Sequence, residues 1–209
     1  MVAAAGFVRS DTFTSHMVEH IALSMVGPLL FALGAPITLA LQSADDANRH
    51  RLRRALRSRV AVVLSNPIIG WLLFGGTLVV LYTTPLLAAS ERHPVLHVVL
   101  HVHLVVVGSL FLWPIVGIDP TPHRLPYGGR LLAALFAAPF HAFIGMALLS
   151  ASSPVAPSVY PSLADQRRAA GLLLVSGELL TLVLAGIVFR RWLEADRRSA
   201  ARMDRRLSA

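Results

Sequence analysis

The stretch HPVLHVVLHVHLVVVGSLFLWP, residues 93–114, is apolar enough to cross a bilayer as a helix, yet it carries four histidines in its first eleven residues. His93, His97 and His101 recur every four residues, which places them along one face of a helix, about a turn apart. His103 points to a different side. Polar and ionisable groups inside a membrane usually face the bundle interior and serve a site, because lipid offers them no partners. The histidine face therefore reads as half of a metal site, with other segments supplying the rest.

Composition sets the class. Of the 209 residues, 55% are apolar and 14% are charged, and mean hydropathy is +0.64. That balance is extreme for a soluble domain and ordinary for a polytopic membrane protein. There is no cysteine, which excludes disulfides, thiolate zinc sites and CxxC copper relays. The net charge of +8 comes from 19 arginines without a lysine. They sit between apolar spans, so membrane topology accounts for them better than a nucleic-acid partner does. Residues 1–14, MVAAAGFVRSDTFT, lack the basic start and cleavage pattern of a secretory signal. They read as a short polar lead into the first span, or as the end of a longer preceding portion.

Five segments are long enough to cross roughly 30 Å of hydrocarbon at about 1.5 Å per residue. They run from about Phe13 to Leu41, Val60 to Tyr82, His93 to Val116, Arg130 to Ser150 and Ala169 to Trp192, and a basic tail follows over residues 193–209. Gly27-Pro28 and Pro36 fall inside the first span and should kink it or tighten its inner end. Six arginines lie between residues 49 and 59, two more are Arg124 and Arg130, and seven lie between residues 190 and 206. The other side holds only Arg9, Arg92, Arg167 and Arg168. The positive-inside rule then puts the tail and the first connection in the cytoplasm and the N-terminus outside. The expected fold is all-α, a polytopic transmembrane helix bundle of about five spans.

That topology gathers the histidines. His16 and His20 lie at the outer end of span one, His97 and His101 in the outer half of span three, and His141 near mid-depth in span four. Met146 is closer to the outer surface. Asp165 marks the outer mouth of span five, and Glu178 lies roughly 14 Å in from Ala169. Only His50 and His123 fall on the cytoplasmic side.

SHMVEH spaces His16 and His20 at i, i+4, the spacing that lets two imidazoles on one helix share a metal. Imidazole suits copper, zinc and iron, and the thioethers of Met17, Met25 and Met146 would favour Cu(I). The candidate metal ligands are His16, His20, His97, His101 and His141, with Met146 and Met17 as soft auxiliary donors. Glu178, a carboxyl within an apolar helix, should face the bundle core as a ligand, an imidazole-orienting partner or a proton-handling group. Bland readings stand beside these. Interfacial histidines hydrogen-bond to backbone or water, and a protonated Glu178 bonds a neighbouring helix. HMVEH also fits the H-x-x-E-H zinc-peptidase pattern with Glu19 as general base, although no segment offers a recognisable third ligand. Paired histidines on facing helices are also the axial ligands of a haem b electron-transfer protein. Gly145, Gly171 and Gly177 read as places of close helix approach. Trp113 fits an aromatic belt, Asp119 a cap or turn, and the arginines of residues 49–59 contact anionic lipid.

Taken in order, SHMVEHIALSMVGPLLFALGAPITL, WLLFGGTLVVLYTTPLL, HPVLHVVLHVHLVVVGSLFLWPIVGIDP, PFHAFIGMALL and DQRRAAGLLLVSGE resemble the integral-membrane CtaG family of bacterial cytochrome c oxidase assembly factors. The resemblance covers about His16 to Arg206. It implies a multi-pass protein of the bacterial cytoplasmic (inner) membrane, not an enzyme, that helps build the oxidase and delivers copper to it. Cytochrome c oxidase subunits would be its partners. Carried over by position, His16, His20, His97, His101, His141, Asp165 and Glu178 stand at the family's recurrent polar positions. Two features depart from the pattern. Gly27-Pro28 stands where relatives often show Pro-Pro, and relatives usually carry one or two further spans ahead of this first segment.

Overall fold

A computed structural model describes residues 11–122 and 124–207. The polar lead over residues 1–10, with Arg9, and His123 lie outside the described residues. The chain is 82% helical, and the described residues contain no strand.

The first span starts at Phe13–Ile21 (α1), where Thr12 and Ser15 bond each other's backbone N–H in a capping box. An acid, Asp165, reinforces this start from another part of the chain. The Phe13 N–H donates to Asp165 Oδ2 at 2.7 Å, and the Thr14 N–H to the same oxygen at 3.3 Å. The span continues through a π turn, Ala22–Val26, into Gly27–Leu33 (α2). Pro28 has no N–H to offer the preceding turn, and the wider π turn, with the Gly27 N–H reaching back to the Ala22 carbonyl, absorbs that loss. The expected kink at Gly27-Pro28 thus takes the form of a change of helical register.

The span breaks at Gly34 and Ala35 before Pro36–Ser43 (α3). Ala35 takes φ 49° and ψ 52°, the sole non-glycine residue with positive φ among those described. Pro36 bars its neighbour from the right-handed helical region, and the left-handed alternative costs an alanine about 1–2 kcal/mol. Ala35 has no polar side chain to cap α3, so Asp119 does it from a bend elsewhere in the chain. Its oxygens accept from Ile37 N (3.2 Å), Thr38 N (2.7 Å) and Thr38 Oγ1 (2.6 Å). Asp119→Ala should therefore cost about 1–2 kcal/mol, the value of a lost cap, read as a lowered midpoint of thermal unfolding in detergent. Asp119→Asn should recover most of it.

The first connection is helical: Asp46–Leu56 (α4), capped by Asp45, carries its acid at the start and Arg53 and Arg54 in its last turn. That order matches the helix dipole. A separate short helix, Arg59–Leu64 (α5), precedes Pro67–Thr83 (α6). The span expected from Val60 to Tyr82 is divided here, because Asn66-Pro67 ends one helix and starts the next. Beyond Thr83 the chain turns by 79° into Leu86–Arg92 (α7). The central helix, Pro94–Val116 (α8), opens on a proline and closes on Gly117 at φ 58°, and it matches the expected third span closely.

Tyr127–Leu135 (α9) and Ala138–Ser150 (α10) share the fourth crossing, broken next to Pro139. The last helix, Leu163–Leu207 (α11), runs straight through the expected fifth span and on into the basic tail. Four runs, Phe13–Ser43, Pro94–Val116, Tyr127–Ser150 and Leu163–Leu207, are long and apolar enough to cross a membrane, and the bent pair α6–α7 makes a fifth if it is counted as one span.

Helix α8 packs against α2, the π turn, α6, α7, α9 and α11, so it forms the middle of the bundle. Its buried stripe includes Leu100, Leu104, Val107, Phe111, Leu112 and Ile115. Gly108 lies where α8 meets the π turn, and a Cβ there would sit 2.2 Å from the Ser24 carbonyl oxygen. Gly177 of α11 meets His141, and Gly145 of α10 meets Leu174, so small residues bring these two helices together beside the imidazole. Gly171, expected to do the same, faces open space.

Candidate metal centre

Three helices carry the five histidines inward. His16 and His20 of α1, His97 and His101 of α8, and His141 of α10 are all buried. Helix α7, bent across the outer end, adds a group that the reading of the sequence did not name. Its Glu91, 5% exposed, places Oε1 3.1 Å from His16 Nδ1 and 3.7 Å from His97 Nδ1.

The His16 contact is a hydrogen bond and the His97 contact is too long to be one, so the arrangement fixes chemistry on the opposite side of the His16 ring. A carboxylate that accepts from Nδ1–H selects one tautomer and leaves the Nε2 lone pair as the donor atom. His16 Nε2 and His97 Nε2 are buried and have no hydrogen-bond partner. His141 is held in the same way by a backbone acceptor: its Nδ1 lies 3.3 Å from the Ala137 carbonyl, and its Nε2 is buried without a partner. Both ring nitrogens of His20 are buried and unpartnered. Its electrostatic neighbours are His16, His101 and His141. Folded proteins leave few buried polar atoms unsatisfied. Four imidazoles in one half of one bundle thus keep donor nitrogens free of hydrogen bonds, although no three of these four converge within 4.8 Å of one another.

A tighter grouping stands at the edge of this cluster. One ligand-type atom each from Glu19, His97 and His101 lies within 4.8 Å of the others, the one such trio among the described residues. Glu19 Oε2 is 4.0 Å from His101 Nε2, and the rings of His97 and His101 have centroids 4.1 Å apart. Aromatic and thioether side chains close the inner site to water. Phe13 stacks on His16 at 6.0 Å, and Tyr82 turns its edge to His20 at 5.7 Å. The Tyr82 hydroxyl donates to Met17 Sδ at 3.7 Å, so this fully buried thioether already has a partner.

Two expected ligands stand elsewhere. Glu178 is exposed on α11, and Met146 is 57% exposed on α10. Each follows a glycine that faces the interior, Gly177 and Gly145, and one residue of helix turns a side chain by about 100°. Neither reaches the histidine cluster, and the expectation that Glu178 faces the bundle core is corrected. His93 caps α8 and is exposed, while His103 bonds Thr77 Oγ1 at 2.9 Å on another face. Asp165 serves the start of α1. In the HMVEH motif, Glu19 turns its carboxylate to the α8 pair. The signal for Glu91 lies in SERHP, a carboxylate in the outer connection just ahead of the histidine-bearing helix.

Over residues 2–195 the sequence matches the family described as cytochrome c oxidase caa3 assembly factor. Among curated proteins it is 38% identical to uncharacterized proteins of Mycobacterium bovis and Mycobacterium tuberculosis, over 94% of this chain and 32% of theirs. It is 34% identical to one of Mycobacterium leprae over the same shares. The chain thus spans about a third of the length of the curated relatives it matches. No solved structure matches it.

Proposed function

The chain belongs to the cytochrome c oxidase caa3 assembly factor family, and from that premise we propose that it binds copper through its outer-half histidines and helps deliver the ion to the oxidase in the bacterial inner membrane. The observation that carries the reading is the set of buried, unpartnered imidazole nitrogens on His16, His20, His97 and His141, with His16 oriented by the Glu91 carboxylate. His101 completes the candidate ligands. Copper here is cargo. The protein's part is to offer donors, exclude water and release the ion, so no bond of a substrate is made or broken.

An all-imidazole site without thiolates holds copper less tightly than a thiolate cage does, which suits an ion that must be passed on. The test is anaerobic Cu(I) loading of detergent-purified protein, wild type beside His16→Ala/His20→Gln. Wild type should retain about one equivalent and show no Soret band. The variant should bind at least about 10-fold more weakly, since even outer-shell changes at metal sites cost about 10–100-fold. A haem spectrum, or no retained copper in wild type, would overturn the reading.

A further inference from the structure

Glu19 is difficult to account for as a structural residue. It sits on α1 about 9 Å in from Phe13, at about 1.5 Å per residue. It lines a cleft of about 430 Å³ whose other walls are apolar, among them Ala22, Leu23, Val102 and Val105, with His101 beside it. Ala22, Val102 and Val105 are exposed in a chain whose apolar outer surface faces lipid, so the cleft opens sideways. Its Oε2 is nevertheless buried and without a hydrogen-bond partner. Among the described residues, the one group of opposite charge type within 4.0 Å is His101. An ionised carboxylate on an apolar wall is costly unless a cation meets it.

We propose that Glu19, His97 and His101 form a second metal site, for a divalent first-row transition ion, open sideways to the bilayer between α1 and α8. It rests on the copper reading only in treating these histidines as ligands. Two imidazoles and a carboxylate form a harder donor set than the histidine cluster behind them. Carboxylates suit divalent ions, and by the Irving–Williams order Cu²⁺ binds such a set most tightly. The geometry is close to what is needed. Donors on a common ion with bonds of about 2.0–2.2 Å stand about 3–3.5 Å apart, and the trio lies within 4.8 Å. Side-chain rotations of about an ångström close it. Three protein ligands leave a coordination position open, and here that position faces the cleft, from which an ion or a competing ligand arrives. His97 and His101 are also candidate ligands of the copper cluster, and Glu91 lies beside both His97 and His16, so the two sites share ligands and compete for them.

The experiment uses Cu²⁺ itself, titrated in air into the purified chain and followed by electron paramagnetic resonance. The expected result for wild type is one equivalent with a signal split by two nitrogen ligands. Glu19→Gln, nearly isosteric and half-buried, should weaken Cu²⁺ at least about 10-fold, while Glu19→Asp falls between. Anaerobic Cu(I) uptake by Glu19→Gln should equal that of wild type, which also shows that the variant is folded. Unchanged Cu²⁺ affinity in Glu19→Gln, or no Cu²⁺ bound by wild type, overturns the second site. Cu²⁺ bound without any Cu(I) retained would sink the delivery reading and leave this site standing.

Discussion

Glu91→Ala is expected to lower Cu(I) affinity by about 10–100-fold, the range for removing the group that orients a metal-binding histidine. The effect is expected to travel through the His16 ring, whose Nδ1 lies 3.1 Å from Glu91 Oε1. With Glu91 gone, His16 loses the acceptor that holds its Nδ1–H in place, and His97 loses a carboxylate 3.7 Å from its Nδ1. The His16 ring then samples the tautomer that points N–H, and not a lone pair, at the metal. Competition against a Cu(I) chelator measures the loss. Glu91→Gln keeps an acceptor oxygen without the charge and should lie between wild type and alanine. Equal affinity in all three proteins would remove Glu91 from the site.

Gly108→Val should prevent a stable bundle. At this crossing the neighbours are backbone as well as side chain: a Cβ would meet the Ser24 carbonyl oxygen at 2.2 Å, Pro28 Cγ at 2.8 Å and the Ser24 carbonyl carbon at 2.9 Å. A clash with a flexible side chain can be relieved by rotation. This one requires α8 and the first span to separate, which puts it at or above the top of the usual overpacking cost of about 1–3 kcal/mol. Gly76→Ala is the matched control, since nothing lies within 4 Å of the Cβ it would add. Size-exclusion profiles and unfolding midpoints in detergent should show aggregation or a large drop for Gly108→Val and little change for Gly76→Ala.

The boundaries of α8 were legible in the sequence because Pro94 and Gly117 punctuate an uninterrupted apolar run. The histidine pairs were legible because i, i+4 spacing fixes a common face whatever surrounds it. What could not be read was the phase of helices that are apolar on every side. In soluble proteins the polar stripe tells which residues look inward. Here α10 and α11 present leucine, valine and alanine to lipid and to the core alike, so nothing in the pattern separates Gly177 from Glu178, or Gly145 from Met146. The expectation that an acid in an apolar helix must face the interior assigned Glu178 to the wrong side. Glu91 escaped notice for another reason. It belongs to a short helix reached only after a 79° bend, and its nearness to His16 spans 75 residues of chain. The break before α6 was signalled by Asn66-Pro67 but masked by valines on one side and isoleucines on the other.

The two aspartates that cap helices from a distance have a mechanical consequence. Asp165 holds the outer start of the first span, and Asp119 holds the start of the segment that follows its inner end. Between them lie Phe13 to Leu33, 21 residues of helix, roughly 30 Å long and so about the thickness of a hydrocarbon core. A free helix meets a thicker or thinner bilayer by tilting. One pinned at both ends to its own bundle has little freedom to tilt alone, so a change of bilayer thickness must tilt the bundle as a whole or deform the lipid. His16 and His20 ride on that span, and two carboxylates, not the lipid, fix their place against the neighbouring helices.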